Sequence, residues 1–133
     1  MEKVIAINEF YSLAVDLEKQ RLYVELKGQW MNLKLLNSFM SDAKESAIHF
    51  FDTYSCITDL TGLMPFNERQ AKPIAISIVG FLTSNSMRNS AQILPESHEA
   101  SQQVISLVRQ TGKVLTVFGD KLTAEMYLDS HAS

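Results

Sequence analysis

The stretch SCITDLTG, residues 55–62, decides how the rest of the chain is read. It is rich in apolar and β-branched side chains and uncharged until Asp59, the pattern of a short buried strand. Thr61 and Gly62 then supply a place where a chain leaves a sheet and turns. A central strand flanked on both sides by helical periodicity implies parallel crossovers, and the neighbouring segments carry that periodicity.

Upstream, FYSLAVDL at 10–17 alternates like a half-buried strand. Residues 22–26 repeat the alternation after the polar turn EKQR, giving two antiparallel strands that Gly28 brings to an end. From Asn32, an N-cap residue, apolar side chains at 35, 36, 39, 40, 43, 47 and 50 mark one face of a helix. Downstream, IAISIVGFL at 74–82 fits a strand or a helix; Pro73 favours the helix, because its missing N–H costs nothing at the first helical position. SAQIL at 90–94 reads as a strand. Ser97 then caps a helix with periodic positions 100, 104, 107, 108 and 111, which Gly112 ends. KVLTVF at 113–118 is a further strand, and Gly119 and Asp120 introduce a last helix carrying Leu122, Ala124 or Met126, Tyr127 and Leu128. The order β-β-α-β-α-β-α-β-α predicts an α/β fold: a mixed, mostly parallel sheet of about five strands with about four helices. One domain is expected over 1–133, its core spanning about 10–128.

Composition agrees with an ordinary globular domain, with 46% hydrophobic and 20% charged residues. A net charge of −3 leaves no basic field to neutralise phosphates, so nucleic acid is not an expected partner. The apolar run 74–82 is about half the length of a bilayer span, and MEKVIAINEF lacks the apolar core of a signal peptide. No membrane span and a cytoplasmic address are therefore expected. Cys56, the single cysteine, lies in the central strand and reads as core.

Three segments carry a family resemblance: LYVELKGQW at 22–30, CITDLTGL at 56–63 and KVLTVFGDKLTAEMYL at 113–128. Together they resemble the STAS-like domains, whose best-known type is the anti-sigma-factor antagonist (SpoIIAA-like). In that family a strand ending in glycine precedes the first helix, and a central strand ends in aspartate. A later V-x-x-F-D/G-D strand leads into a helix with an aromatic-Leu pair. The resemblance implies a bacterial regulatory domain that binds another protein. Antagonists of this kind are phosphorylated on a serine in D-S-[ST]-G at the turn into the second helix. Here Asp59, Leu60, Thr61 and Gly62 stand there, so leucine occupies the acceptor position and Thr61 is the remaining hydroxyl. Thr61 serves either as an acceptor or as a local turn residue bonding its own backbone.

Catalytic patterns do not emerge: there is no GxGxxG, P-loop, GxSxG or HExxH, and no paired cysteines. His49, His98 and His131 have no metal-ligand partner at helical spacing, so neither a metal nor another cofactor is expected. Asp42 and Glu45 fall on the polar face of the first helix. Asp59 stands at the carboxyl end of a central strand, where α/β sheets bind ligands, or else caps the backbone of its own loop. Trp30, Met64, Phe66 and Asn67 form an expected contact surface, with a staple onto the first helix as the other role for Trp30. The interaction surface is accordingly placed at 59–72. SAQIL as an edge strand suggests a homodimer, and the apolar run 74–82 raises a second reading, a carrier or sensor of a small lipid-like ligand.

Overall fold

The alternation of apolar and polar residues becomes a six-stranded sheet in the computed structural model, which describes residues 1–67 and 69–131. The strands are β1 (Glu2–Ile7), β2 (Tyr11–Asp16), β3 (Arg21–Leu26), β4 (Tyr54–Asp59), β5 (Met87–Ile93) and β6 (Val117–Phe118). The helices are α1 (Leu33–Ala47), α2 (Lys72–Leu82), α3 (His98–Gln110) and α4 (Lys121–Ser130). The strands lie side by side in chain order. The first two pairings are antiparallel and the remaining three parallel, as a mixed, mostly parallel sheet requires.

Successive side chains of a strand point to opposite faces, and this divides the core in two. Leu22, Val24 and Leu26 of β3 join the larger core with Phe39 of α1, Ile78 of α2 and Val104 of α3. Tyr23 points the other way and joins Ile57, Ala91 and Ile93 under Ala124 and Leu128 of α4. Right-handed crossovers between strands taken in order place their helices on one face, so α1, α2 and α3 share the first layer and α4 covers the second. The α1 and α3 caps are those read in the sequence: Asn32 Oδ1 accepts from Leu35 N at 2.7 Å, and Ser97 Oγ from Ala100 N at 3.2 Å. Asp120 Oδ1 caps α4 through Thr123 N at 2.8 Å.

Three expectations change. An additional strand, β1, precedes the hairpin; its EKVIAI sequence pairs with β2, but its outward residues are mostly exposed, which weakens the half-buried pattern by which strands are recognised. The 113–118 run contributes only Val117 and Phe118 to the sheet, and Val114 is 89% exposed, so its β propensity is not matched by burial. SAQIL is an edge only in part, because β6 covers Gln92 and Ile93 but not Ser90 and Ala91. Β5 pairs with β4 along its length and with β6 through Gln92 and Ile93, leaving β1 as the long edge of the sheet.

The 74–82 run is helical, and its apolar side chains, the half-exposed Ile76 apart, pack into the core. Ile74, Ile78 and Leu82 are buried, and the Phe81 ring meets Phe39 edge-on with centroids 5.2 Å apart.

Candidate functional site

Two loops leave the carboxyl ends of β3 and β4: 27–32 leads into α1 and 60–71 into α2. Asp59 ends β4, and its Oδ1 accepts both the backbone N–H of Thr61 at 2.9 Å and the Thr61 hydroxyl at 2.5 Å. This is an Asx turn closed on itself, which supports the local role of both residues. Thr61 is also not at the start of the second helix, because α2 begins only at Lys72. The turn at Thr61 leads instead into an irregular segment in which Leu63 bridges to Gly28.

That segment is held from three sides. Leu60 N donates to Ile93 O at 2.9 Å and Glu96 N to Thr61 O at 3.1 Å, fastening it to the end of β5. Gly28 N donates to Gly62 O at 2.9 Å and Met64 N to Gly28 O at 3.0 Å, fastening it to the end of β3. From α3, the Gln103 side chain takes both backbone groups of Phe66: Oε1 accepts from Phe66 N at 2.8 Å and Nε2 donates to Phe66 O at 2.9 Å. Glycine is needed where the two loops meet. Gly28 has φ +78°, and a Cβ there would stand 3.0 Å from the Phe10 ring; a Cβ on Gly62 would lie 2.9 Å from Lys27 Cβ.

The expected contact residues divide. Met64 is 51% exposed, and Met31, on the loop bonded to it through Gly28, is 44% exposed. Asn67 is exposed, but its Oδ1 accepts from the N–H groups of Arg69 and Gln70 and so directs the chain toward α2. Trp30 and Phe66 are not surface residues. Trp30 is wholly buried, 5.6 Å from the Phe39 ring and 6.0 Å from Tyr11, and its Nε1 donates to Lys27 O at 3.0 Å. A large ring next to a helix start gains more from covering that helix than from standing in water, and here its one polar atom finds a carbonyl. Phe66 is drawn under the loop by the Gln103 clamp. Glu68, within the 59–72 stretch, lies outside the described residues.

Beyond the loop, α2 and α3 leave between them an open groove of about 830 Å³. Phe66, Ala75 and Leu107 give it an apolar lining, while Arg69 and Lys72 stand on the α2 side and Gln103 on the α3 side. Sequence reasoning missed Gln103. An amide three residues after Ala100 and next to Val104 lies at the margin of the buried helical face, and that position was its only signal.

Other polar clusters tie neighbouring elements together. Arg21, 1% exposed on β3, donates through Nε to Ser55 Oγ at 2.9 Å and through a terminal nitrogen to Glu125 and Asp129 of α4, each at 2.8 Å. Lys19 and the Tyr23 hydroxyl bond the same Glu125 oxygen at 2.7 and 2.6 Å. Burial alone would raise the Glu125 pKa, but the bonds from Lys19 and Tyr23 and the Arg21 charge outweigh it and hold the carboxyl below its ordinary value. Burial pushes the Cys56 thiol up to about 12, the setting of an inert core cysteine. On the opposite face, the buried Tyr11 donates to Asp42 at 2.6 Å, and burial followed by that bond pushes its phenol up to about 12. His49, His98 and Arg88 are exposed, and among the described residues no three His, Cys, Asp or Glu side chains gather to hold a metal ion. No helix among them is long and apolar enough to cross a membrane.

Compared with known proteins, the chain matches no family model, no curated protein and no solved structure.

Proposed function

We propose that the chain is a non-enzymatic regulatory protein-interaction domain of the STAS-like kind, similar to the bacterial anti-sigma-factor antagonists, that acts in the cytoplasm and binds another protein through the 59–72 loop and the adjoining face of α2. The observation that carries the reading is the three-sided fastening of residues 60–66, which presents Met64 outward from a rigid support. A recognition surface that is ordered before binding loses less entropy on association, and methionine adapts its shape to a partner. The antiparallel opening followed by β-α units in chain order supports the family reading. The closed Asp59–Thr61 turn favours binding without a phospho-switch at Thr61, because a phosphoryl group there would displace the bond to Asp59 and set two anionic groups against each other.

The test compares proteins recovered with the tagged chain from its own host, quantified by mass spectrometry, for the native sequence, Met64→Glu and Lys44→Glu. Lys44 is exposed on α1, away from the loop. A partner reduced about tenfold by Met64→Glu, equivalent to ~1.4 kcal/mol, and retained by Lys44→Glu supports the reading. Equal recovery from all three refutes it.

A further inference from the structure

Resting on that interaction reading, we infer that the groove between α2 and α3 receives an acidic peptide segment of the partner, with an apolar side chain seated on the groove's lining. Phe66 and Gln103, the two residues of the clamp, both line the groove, so a chain contacting Met64 two residues away can continue into it. Leu107, half-buried, provides the accessible apolar contact, with the buried Phe66 and Ala75 beside it in the lining. Phe66 is held in place because both of its backbone groups are bonded by Gln103, which is itself a lining residue. The seat therefore exists before anything binds.

Charge selects the occupant. The whole chain carries −3, and its field repels an acidic segment in general. Arg69 and Lys72 line the groove on exposed positions, and among the described residues neither takes part in an ion pair. Among the described lining residues the carboxylate is Glu99, at the α3 end beside His98. A partner segment with carboxylates facing α2 and an apolar residue over Leu107 meets both cations, while a basic segment meets them as like charges. Juxtaposed like charges exclude wrong partners as firmly as paired charges admit the right one.

The probes are two synthetic peptides of about twelve residues, long enough for roughly three helical turns. Both carry Leu at positions i and i+4; one has Glu and the other Lys at the remaining outward positions. Each is titrated into the isotopically labelled full chain while backbone amide resonances are followed. The expected result is perturbation of Phe66, Arg69, Lys72, Gln103 and Leu107 by the glutamate peptide, at least tenfold weaker binding of the lysine peptide, and reversal of that preference in the Arg69→Glu/Lys72→Glu double variant. Both substituted side chains are exposed, and a circular dichroism spectrum verifies the variant's fold. Equal binding of the two peptides, perturbation confined to residues outside the groove, or no perturbation at millimolar peptide overturns the assignment. The interaction reading is decided separately by Met64→Glu, which leaves Arg69 and Lys72 in place.

Discussion

Replacing Gln103 with leucine removes one side chain and two hydrogen bonds that hold the recognition loop. Leucine keeps the approximate volume, so packing against the groove is largely preserved, while Phe66 N–H and C=O lose their partners at 2.8 and 2.9 Å. Phe66 is 5% exposed, which limits water's access to those groups. A net hydrogen bond contributes about 1 kcal/mol, and a buried polar group left alone costs about 1–3 kcal/mol. The expected loss is about 2 kcal/mol, held near the lower end of the sum because the loop can lift and hydrate. With an unfolding entropy of ~2.1 cal/mol/K per residue, a chain of 133 residues would melt about 7 °C lower. Urea denaturation followed by circular dichroism gives the global loss, and amide exchange locates it. Protection should fall in residues 60–67 and remain in β3, β4 and β5. A loss under about 0.5 kcal/mol with unchanged exchange in 60–67 refutes the clamp as the support of the loop.

Arg21→Met should cost on the order of 2–3 kcal/mol, less than the ~3–5 kcal/mol for breaking a fully buried pair, because Asp129 is about half exposed; urea midpoints measure it. The same cluster sets an acid limb. The folded-state pKa values of Glu125 and Asp129 are depressed, so their contribution is complete above the ordinary carboxyl values of about 4 and is lost as pH falls through the lower folded values. Urea midpoints should therefore keep this contribution from pH 7 to about 4 and lose it below, more steeply in the native chain than in Arg21→Met. Trp30→Ala should cost about 3–5 kcal/mol in the same assay, as a large-to-small change in a closed core, whereas a change under 1 kcal/mol contradicts the buried position. Gly28→Ala should cost about 1–2 kcal/mol through its positive φ and the approach to Phe10, with a lowered melting temperature as the readout.

The parts of the fold that were legible in the sequence are those where one signal dominated. Asn32, Ser97 and Asp120 stand at helix starts and act as caps, and Pro73 marks the start of α2, because these residue types have a local reason to sit there. Β1 was less legible: an edge strand gains its order from pairing with β2, and exposed Val4 and Ile7 do not display a buried face. KVLTVF gave the opposite error, since β propensity reports side-chain fit to a sheet and only its last two residues reach one. At the candidate site, Asp59 and Thr61 were visible from their place at a strand end. Their use of each other was decided by spacing, Thr61 being two residues on, as an Asx turn requires. The Gln103 clamp joins positions 37 residues apart, and no local pattern announces such a pair. Phe66 was misplaced for a related reason, whereas for Trp30 the buried position fits the staple onto the first helix and not the contact surface. Aromatic residues in a loop look available for contact until the tertiary structure shows what covers them.

The central claim is that the end of the sheet around Met64 meets another protein. The most direct measurement is to install a photo-crosslinking amino acid at Met64, and in parallel at Lys44, and to irradiate the host's living cells. The account predicts an adduct from position 64 whose second component is a different polypeptide, with no such adduct from position 44. No adduct from position 64, or adducts only between copies of this chain, would contradict it.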